Sequence, residues 1–536
     1  MDGTQLTPAK PIEQEGAFPA RAPHPDASCF DSILFRTPDD RVESREQPLF
    51  FRDLNLDHIV HAITLGYVRH DLAPFFYAPL RDRDAIEFRQ EVFRDLEDDR
   101  VFQAVTSFAR RMGTMRQMSE VVARSRYPFE KERWFLDSAR AYCDAVERLF
   151  VEMEAMALQS RGLRALRNFL ADYTGSGAFG ALRRDATTLA ARLSAVRYGL
   201  LIREGKFTVR PFEDEADYSA DVESTFDKFR RGSVKSYLTE PVQAPEMNHI
   251  QAQVVVGVSK LFPDVFAALV KFAADHADFV NETIARFDRE VHFYIAVLEY
   301  IQKHRQAGLR FCYPQLRRTS KEVHSCQSFD LALASKLIDD GKEVVTNDFF
   351  LRGEERVFVV SGPNQGGKTT FARTFGQLHY LGALGCPVAG TEAQLFLFDQ
   401  LFTHFEREED ISNLRGKLHD DLVRIRQILD HATPDSILIL NEVFSSTTLR
   451  DALFLSEQIM SRVDRLDMLG VWVTFLVELS TFSAKTVSVV STVDSHDPAI
   501  RTFKIVRKPA EGVAYAISVA QKHRVTYEQI KERIRP

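Results

Sequence analysis

Cysteine is scarce in this sequence. The chain has 536 residues and five cysteines, which lie far apart: Cys29, Cys143, Cys312, Cys326 and Cys386. Their spacing forms neither a disulfide framework nor a zinc-binding pattern, although His324 lies close to Cys326. We therefore expect free thiols and a reducing compartment, the cytoplasm.

The sequence also lacks a long hydrophobic run and an excess of positive charge. It contains no signal-peptide pattern and no stretch of about 18 apolar residues, which argues against membrane transport by this chain alone. Its formal net charge is −7. That charge excludes a basic coat over nucleic acid, so any polyanion site must be a local patch.

One such patch is present between residues 161 and 210. This segment holds ten Lys/Arg and three Asp/Glu, and Arg161, Arg164 and Arg167 recur at a spacing close to one helix face. The patch could contact DNA phosphates, or it could pair with the acidic run at 213–227 that follows it. Both interpretations remain open from the sequence.

The chain divides into three regions. Residues 1–44 are rich in proline and predict a flexible leader, with folded sequence starting near Phe30. Residues 45–325 have mainly helical periodicity, with a β-hairpin predicted near 200–210 and its turn at Glu204 and Gly205. The pattern from 263 to about 305 would give roughly 60 Å of helix if unbroken, which suggests a lever.

From 326 to 536 short apolar runs alternate with helical patterns. Strands are expected at 357–360, 395–402, 437–440, 471–477 and 487–491. This alternation predicts an α/β domain with a mostly parallel sheet, preceded by the all-α region.

A phosphate-binding loop lies between the first of these strands and a helix. Val357–Val360 runs into the pattern G-x-x-x-x-G-K-[ST]. Its glycines let backbone N–H groups point at phosphate oxygens, Lys368 can reach the β- and γ-phosphates, and the Thr369 hydroxyl can bind Mg²⁺. We therefore predict ATP and Mg²⁺ as cofactors and a nucleotide-binding set formed by Gly362, Pro363, Asn364, Gln365, Gly366, Gly367, Lys368, Thr369 and Thr370.

A second apolar strand ends in Asn441 and Glu442. Strand ends in α/β sheets place side chains beside bound phosphates. Glu442 is the candidate catalytic base for an attacking water, with Lys368 as the second catalytic candidate. Asn441 stands where an aspartate commonly supports Mg²⁺, and its amide is neutral.

These motifs resemble the ATPase domain of the MutS mismatch-repair family. The resemblance rests on Gly362–Thr369, on Val345–Phe349 and on Ile411–Leu418, and on the spacing to Glu442. It covers about 325–536 well and about 45–325 more weakly, where the helices look like that family's core and lever helices.

The resemblance implies an ABC-like P-loop ATPase domain, a homodimer, and DNA held between lever arms. It implies that ATP is sandwiched between the loop and a segment of the partner that matches Ser412 to Leu418. Asn347 would lie near the adenine, Thr369 and Asn441 near the metal, and the C-terminal segment from His523 would pack across the dimer.

Three departures from the family pattern affect chemistry. The family's signature serine aligns with Gly416, with Ser412 as a nearby substitute; its aspartate aligns with Asn441; and its histidine after the next strand aligns with Phe475. Few residues precede the helical region, so we expect no mismatch-reading domain. The sequence thus predicts a nucleotide-switched DNA-binding ATPase that acts on structured or branched DNA.

Two other functions remain in contention. The three departures also suit an ATP-binding structural scaffold or clamp with little or no hydrolysis. An ATPase subunit of a transporter or chromosome-organising complex is disfavoured by the lack of a long two-way coiled coil and of apolar runs.

Overall fold

The structure is a computed structural model. It describes residues 30–203, 206–213, 247–406, 416–494, 497, 500–510 and 524–534. Three predicted features lie outside the described residues: residues 1–29 of the predicted leader 1–44, the hairpin turn at 204–205, and Ser412.

The first region is a bundle of helices on a phenylalanine-rich core. Its helices are α1 (Leu56–Thr64), α2 (Ala73–Phe76), α3 (Arg83–Leu96), α4 (Asp99–Arg124), α5 (Glu130–Glu154), α6 (Arg161–Thr174) and α7 (Gly177–Ser194). Aspartates start two of them, because the Asp82 side chain accepts from Ala85 N and Asp98 accepts from Arg100 N. The longest two, α4 and α5, pack along each other.

A hairpin follows α7. Strands β1 (Tyr198–Arg203) and β2 (Lys206–Pro211) pair antiparallel with Arg203 opposite Lys206. This pairing matches the predicted hairpin near 200–210. Val209 of β2 contacts Gly257 so closely that a Cβ on that glycine would lie 2.7 Å from Val209 Cγ2.

The helix expected from 263 to about 305 is interrupted. The structure has α8 (His249–Leu261), α9 (Pro263–Asp275) and α10 (Glu282–Gln306). Asn281 causes the restart, because its side chain accepts hydrogen bonds from Thr283 N and Ile284 N as an N-cap. The expected single 60 Å lever is therefore wrong. Within the described residues no single helix could span a membrane; α8 and α9 have the required length and composition only as a pair, bent by 110°.

The second region begins with a four-stranded sheet, in the order β4-β9-β5-β6, beside a short two-stranded pairing of β3 with β8. The strands are β3 (Phe311–Cys312), β4 (Gln315–Arg317), β5 (Val323–Ser328), β6 (Asn347–Leu351), β8 (Val388–Ala389) and β9 (Glu392–Phe396). Helix α11 (Leu331–Asp339) follows β5, and α12 (Lys368–Ala383) precedes β8. A continuous core joins α12 to the helical bundle, and a Cβ on Gly376 would lie 2.7 Å from Leu54 Cδ1.

A six-stranded sheet forms the rest, in the order β10-β11-β12-β7-β13-β14. Its strands are β7 (Val357–Ser361), β10 (Leu401–Phe405), β11 (Ile437–Asn441), β12 (Leu469–Val473), β13 (Thr486–Val493) and β14 (Arg501–Arg507). All neighbours pair parallel except β13 with β14, as the predicted mostly parallel sheet requires. The remaining described helices are α13 (Lys417–His431), α14 (Leu449–Leu466) and α15 (Tyr527–Arg533).

The single strand expected at 395–402 is two strands, β9 and β10. They belong to different sheets, and the chain turns between them at Asp399. The Asp399 carboxylate accepts from the hydroxyls of Thr433 and Ser436, and its N–H donates to Asp435 O. These bonds tie the turn at Asp399 to the segment just before β11. The apolar run is therefore interrupted at Asp399 and does not continue as one strand.

Candidate functional site

The glycine loop leaves the central strand β7 and enters α12. Gly362 and Gly367 have φ of 117° and 94°, a region that glycine adopts without strain. Strand β13 presses on the loop from one side, because a Cβ on Gly366 would lie 2.2 Å from Ser491 Oγ. Ser491 Oγ also donates to Gly366 O at 2.6 Å. The loop is thus held tightly against the sheet and leaves no room for a side chain at Gly366.

Lys368 is the first residue of α12 and is buried. Its ammonium donates to Gly362 O at 3.0 Å, to Pro363 O at 3.3 Å and to Asn364 Oδ1 at 3.1 Å. Glu442 Oε1 lies 3.7 Å from Lys368 Nζ. Burial lowers the pKa of Lys368, and the Glu442 carboxylate opposes that shift. The structure therefore brings the two predicted catalytic residues together.

Thr369 and Asn441 form a second contact across the site. Thr369 Oγ1 donates to Asn441 Oδ1 at 2.8 Å, and Asn441 is 8% exposed at the end of β11. Both predicted metal-site residues offer neutral oxygens, which fit a Mg²⁺ that keeps several waters, although with less charge than a carboxylate would give. Among the residues that the structure describes, no group of three His, Cys, Asp or Glu could hold a metal on its own.

The chain after Asn441 has an unusual backbone. Glu442 and Phe444 have φ of 53° and 63°, and the Phe444 side chain is fully buried. Glu442 N donates to Val473 O at 2.9 Å, which fixes the acid between the ends of β11 and β12. A bulky residue at positive φ is rare and concentrates at functional sites.

Gly416 and Phe475, the other two departures from the family pattern, lie at the ends of secondary-structure elements. Gly416 precedes α13 with φ of −67°, and a Cβ there would meet no atom of the described residues within 4 Å. Phe475 follows β12 and is 51% exposed. Ser412 lies outside the described residues.

Asn347 uses both polar atoms of its amide in hydrogen bonds to β14. Its Nδ2 donates to Phe503 O at 3.1 Å, and its Oδ1 accepts from Ile505 N at 2.8 Å. Both polar atoms therefore hold strand β14. Sequence inspection gave no signal for Phe503, which lies beside the loop: a Cβ on Gly367 would lie 3.9 Å from Phe503 Cβ.

A carboxylate after β10 was also missed. Glu406 accepts hydrogen bonds from Lys417 Nζ and, at 2.6 Å, from Ser445 Oγ. Glu406 N also donates to Asn441 O at 3.3 Å. The hydrogen bonds with Lys417 and Ser445 lower the pKa of Glu406. This network ties the start of α13 to the loop that follows Glu442.

Comparisons with known proteins point to one family. Residues 358–534 match the model of MutS domain V. The relatives are proteins described as DNA mismatch repair protein MutS. That of Halalkalibacterium halodurans is 26% identical over 194 residues, 35% of this chain and 22% of the relative. That of Fervidobacterium nodosum is 30% identical over 186 residues, 33% of this chain and 22% of the relative.

The similarity is partial on both sides. A third relative, from Thermosipho melanesiensis, is 28% identical over 187 residues and again shares 22% of its length with this chain. The chain thus spans about a fifth of the curated relatives it matches. The matched part contains the loop, Asn441 and Glu442.

Proposed function

From the premise that this chain is a MutS-family protein by its domain V, we propose that it binds ATP and hydrolyses it slowly to switch a DNA-bound homodimer. The observation that carries the proposal is the assembly of Lys368, Thr369, Asn441 and Glu442 around one glycine loop. We further propose that the DNA is structured or branched.

Nucleotide binding would use groups that the loop already presents. Backbone N–H groups of the loop and of the first turn of α12 are the donors for phosphate oxygens, aided by the positive end of the helix dipole. Lys368 would exchange its bonds to Gly362 O and Pro363 O for phosphate oxygens. Thr369 Oγ1 would hold Mg²⁺ directly, and Asn441 Oδ1 would accept a hydrogen bond from a water on the metal. The ion would supply positive charge that neutralises the phosphates.

Hydrolysis would depend on Glu442. Its carboxylate lies 3.7 Å from the Lys368 ammonium, so it is oriented toward the position of the terminal phosphate. There it would accept a hydrogen bond from the attacking water and take its proton as general base. The backbone N–H of Glu442 donates to Val473 O, so the residue is positioned at the end of β11 before the nucleotide arrives.

The neutral Asn441 favours a second candidate, an ATP-bound clamp that rarely turns over. The Thr369–Asn441 hydrogen bond is between neutral groups, so the site holds one negative charge fewer beside the metal position. Hydrogen bonds involving a charged group are roughly twice as strong as neutral ones. Binding would persist through the loop, while the metal would be held more weakly.

DNA binding would fall to the helical region. Arg161 and Arg183 of the basic run are ion-paired with Asp84, Glu91 and Glu147 of neighbouring helices. The side chains of Arg164, Arg184 and Arg192 are exposed. They are therefore the candidates for phosphate contacts on α6 and α7.

The nucleotide part is tested by calorimetry and by phosphate release. Wild-type protein should bind ATP and release phosphate slowly, Lys368→Ala should lose both, and Glu442→Gln should bind ATP without turnover. Unchanged binding and turnover in Lys368→Ala would refute the assignment of the loop.

The DNA part is tested by binding to duplex, junction and single-stranded DNA across a salt series, with ATP and with ADP. Each lost phosphate contact should reduce the slope of log affinity against log salt by about 1, so Arg164→Gln with Arg192→Gln should reduce it by about 2. Arg426→Gln, an exposed arginine on α13, is the matched control. Absence of binding to all three DNAs would refute the proposed DNA-binding function.

A further inference from the structure

Glu406 holds both ends of the segment that carries the candidate base. Its backbone N–H donates to Asn441 O at 3.3 Å, and its Oε1 accepts a hydrogen bond from Ser445 Oγ at 2.6 Å. Glu442 lies between these two anchor points in the chain. A single residue that directly follows β10 therefore brackets the short segment that leaves β11.

The bracketed segment has a backbone that needs such support. Glu442 and Phe444 both have positive φ, which is costly for residues that carry a Cβ and persists only where the surroundings impose it. The N–H of Glu442 donates to Val473 O, and the Phe444 side chain is buried. These contacts hold the start and the middle of the segment, and the bond from Ser445 to Glu406 holds its end.

Helix α13 orients the Glu406 carboxylate. Lys417, the first residue of α13, donates to the same Oε1 that accepts from Ser445. One turn further along the helix, Asp421 Oδ1 lies 2.9 Å from Nε2 of the buried His404 of β10. Residues four apart share one face of a helix, so both contacts are made by the face of α13 that packs on β10. The carboxylate that holds Ser445 is thus aimed by a helix whose register on β10 is fixed at two points.

We propose that Glu406 is a positioning residue for Glu442, and that it links the position of this base to α13 through Ser445 and Lys417. The proposal rests on the proposed hydrolysis of ATP. A positioning residue sets the distance and angle at which the base meets the attacking water, and a misplacement of about 1 Å can cost about a hundredfold in rate. Affinity for ATP would depend on the glycine loop instead, so turnover and binding should respond differently to changes at Glu406.

The test is phosphate release and calorimetric ATP binding by the full chain. Glu406→Ala removes the carboxylate and keeps the backbone bond to Asn441, so kcat should fall by about tenfold to a hundredfold while the Kd for ATP changes by less than about twofold. Glu406→Gln keeps an acceptor for Ser445 but loses the charge that pairs with Lys417, and its kcat should lie between those of Glu406→Ala and wild type.

Variants of Ser445 separate positioning from a general loss of structure. Ser445→Ala should also lower kcat, and it should add little to Glu406→Ala because both substitutions remove the same hydrogen bond. Ser445→Thr keeps a hydroxyl and should retain the turnover of wild type. In hydrogen exchange, the amides of residues 442–447 should exchange faster in Glu406→Ala, while those of α12 stay protected.

Glu43→Ala is the matched control for the loss of an ion-paired carboxylate. The Glu43 side chain is 34% exposed, as is that of Glu406, and its Oε2 lies 3.0 Å from Nη2 of Arg289. This pair belongs to the helical region, so Glu43→Ala should show the kcat and the Kd for ATP of wild type.

The outcomes distinguish this proposal from the one it rests on. If wild type releases phosphate and Glu406→Ala does so at the same rate, the positioning role is overturned and the proposed function stands. A loss of ATP affinity as large as the loss of kcat would assign Glu406 to binding and overturn the positioning role as well. Additive effects of Glu406→Ala and Ser445→Ala would overturn the link through their hydrogen bond. Wild-type protein that binds ATP and releases no phosphate would overturn the proposed hydrolysis and its positioning residue together.

Discussion

The phosphate-loop helix carries a buried histidine that should make the protein sensitive to acid. His379 on α12 is fully buried; its Nδ1 donates to Phe375 O at 2.8 Å, and its Nε2 has no partner within the described structure. Burial lowers the pKa of His379 from 6.5 to about 4, against a smaller opposing effect of the Phe375 carbonyl. The folded protein therefore keeps this ring neutral under conditions in which the unfolded chain protonates it.

The direction and size of the effect follow from linkage. A base with a depressed folded-state pKa contributes stability that is present above 6.5 and is lost as pH falls toward about 4. Between pH 7 and pH 5 this single group should remove about 2 kcal/mol from the free energy of unfolding, and roughly 3 kcal/mol by pH 4.

Replacement of His379 by methionine isolates the contribution of this histidine to the pH dependence of stability. Between pH 7 and pH 5 the free energy of unfolding of the variant should fall by about 2 kcal/mol less than that of wild type. The reason is that the unfolded variant no longer gains the proton on residue 379. Urea unfolding followed by the fluorescence of Trp472, buried in β12, gives both free energies. His58→Met, at an exposed histidine on α1, should behave as wild type. An equal loss in His379→Met and wild type would refute the neutral buried ring.

Three substitutions test the nucleotide site. Asn441→Asp keeps the oxygen that accepts from Thr369 and adds a charge, so phosphate release should rise about tenfold or more if the lost carboxylate limits turnover; an unchanged rate would show that Glu442 suffices. Gly416→Ser should fold as wild type, since no atom of the described residues lies within 4 Å of the Cβ position; faster phosphate release would identify Gly416 as the position where the serine of the family pattern is missing. Gly366→Ala should abolish ATP binding in calorimetry, because its Cβ would lie 2.2 Å from Ser491 Oγ, whereas retained binding would mean that β13 can yield.

The loop and the strands beside it were predictable because their signals are local. Residues 357–360 are apolar, the whole strand Val357–Ser361 is buried, and Gly362 follows it directly. The proximity of Lys368 to Glu442 also followed from position, since the carboxyl ends of parallel strands lie at one edge of the sheet and only β12 separates β7 from β11. Residues 358–534, which carry these motifs, match the model of MutS domain V.

The missed features depend on contacts between distant segments. The break before α10 needs the side chain of Asn281, and the split of β9 from β10 needs Thr433 and Ser436 to bond Asp399. The hydrogen bond from Asn347 to Phe503 O joins residues that are 156 positions apart in the chain. Hydrophobic periodicity reports which face of an element is buried, but it does not report which polar side chain will interrupt that element.

Binding and chemistry at this site draw on different parts of the chain. In the proposed function, phosphate recognition would use the backbone of residues 362–369, and the close approach of Ser491 holds this loop against the sheet. Hydrolysis needs negative charge at the metal position and a base beside the phosphate, which are properties of single side chains. The glycine loop offers the backbone for binding, Glu442 offers a carboxylate 3.7 Å from Lys368 Nζ, and Asn441 offers only a neutral amide oxygen to Thr369. Substitutions at strand ends can therefore slow turnover without affecting the loop, which is why Asn441→Asp, and not any change to the loop, is the variant that separates a slow ATPase from a static clamp.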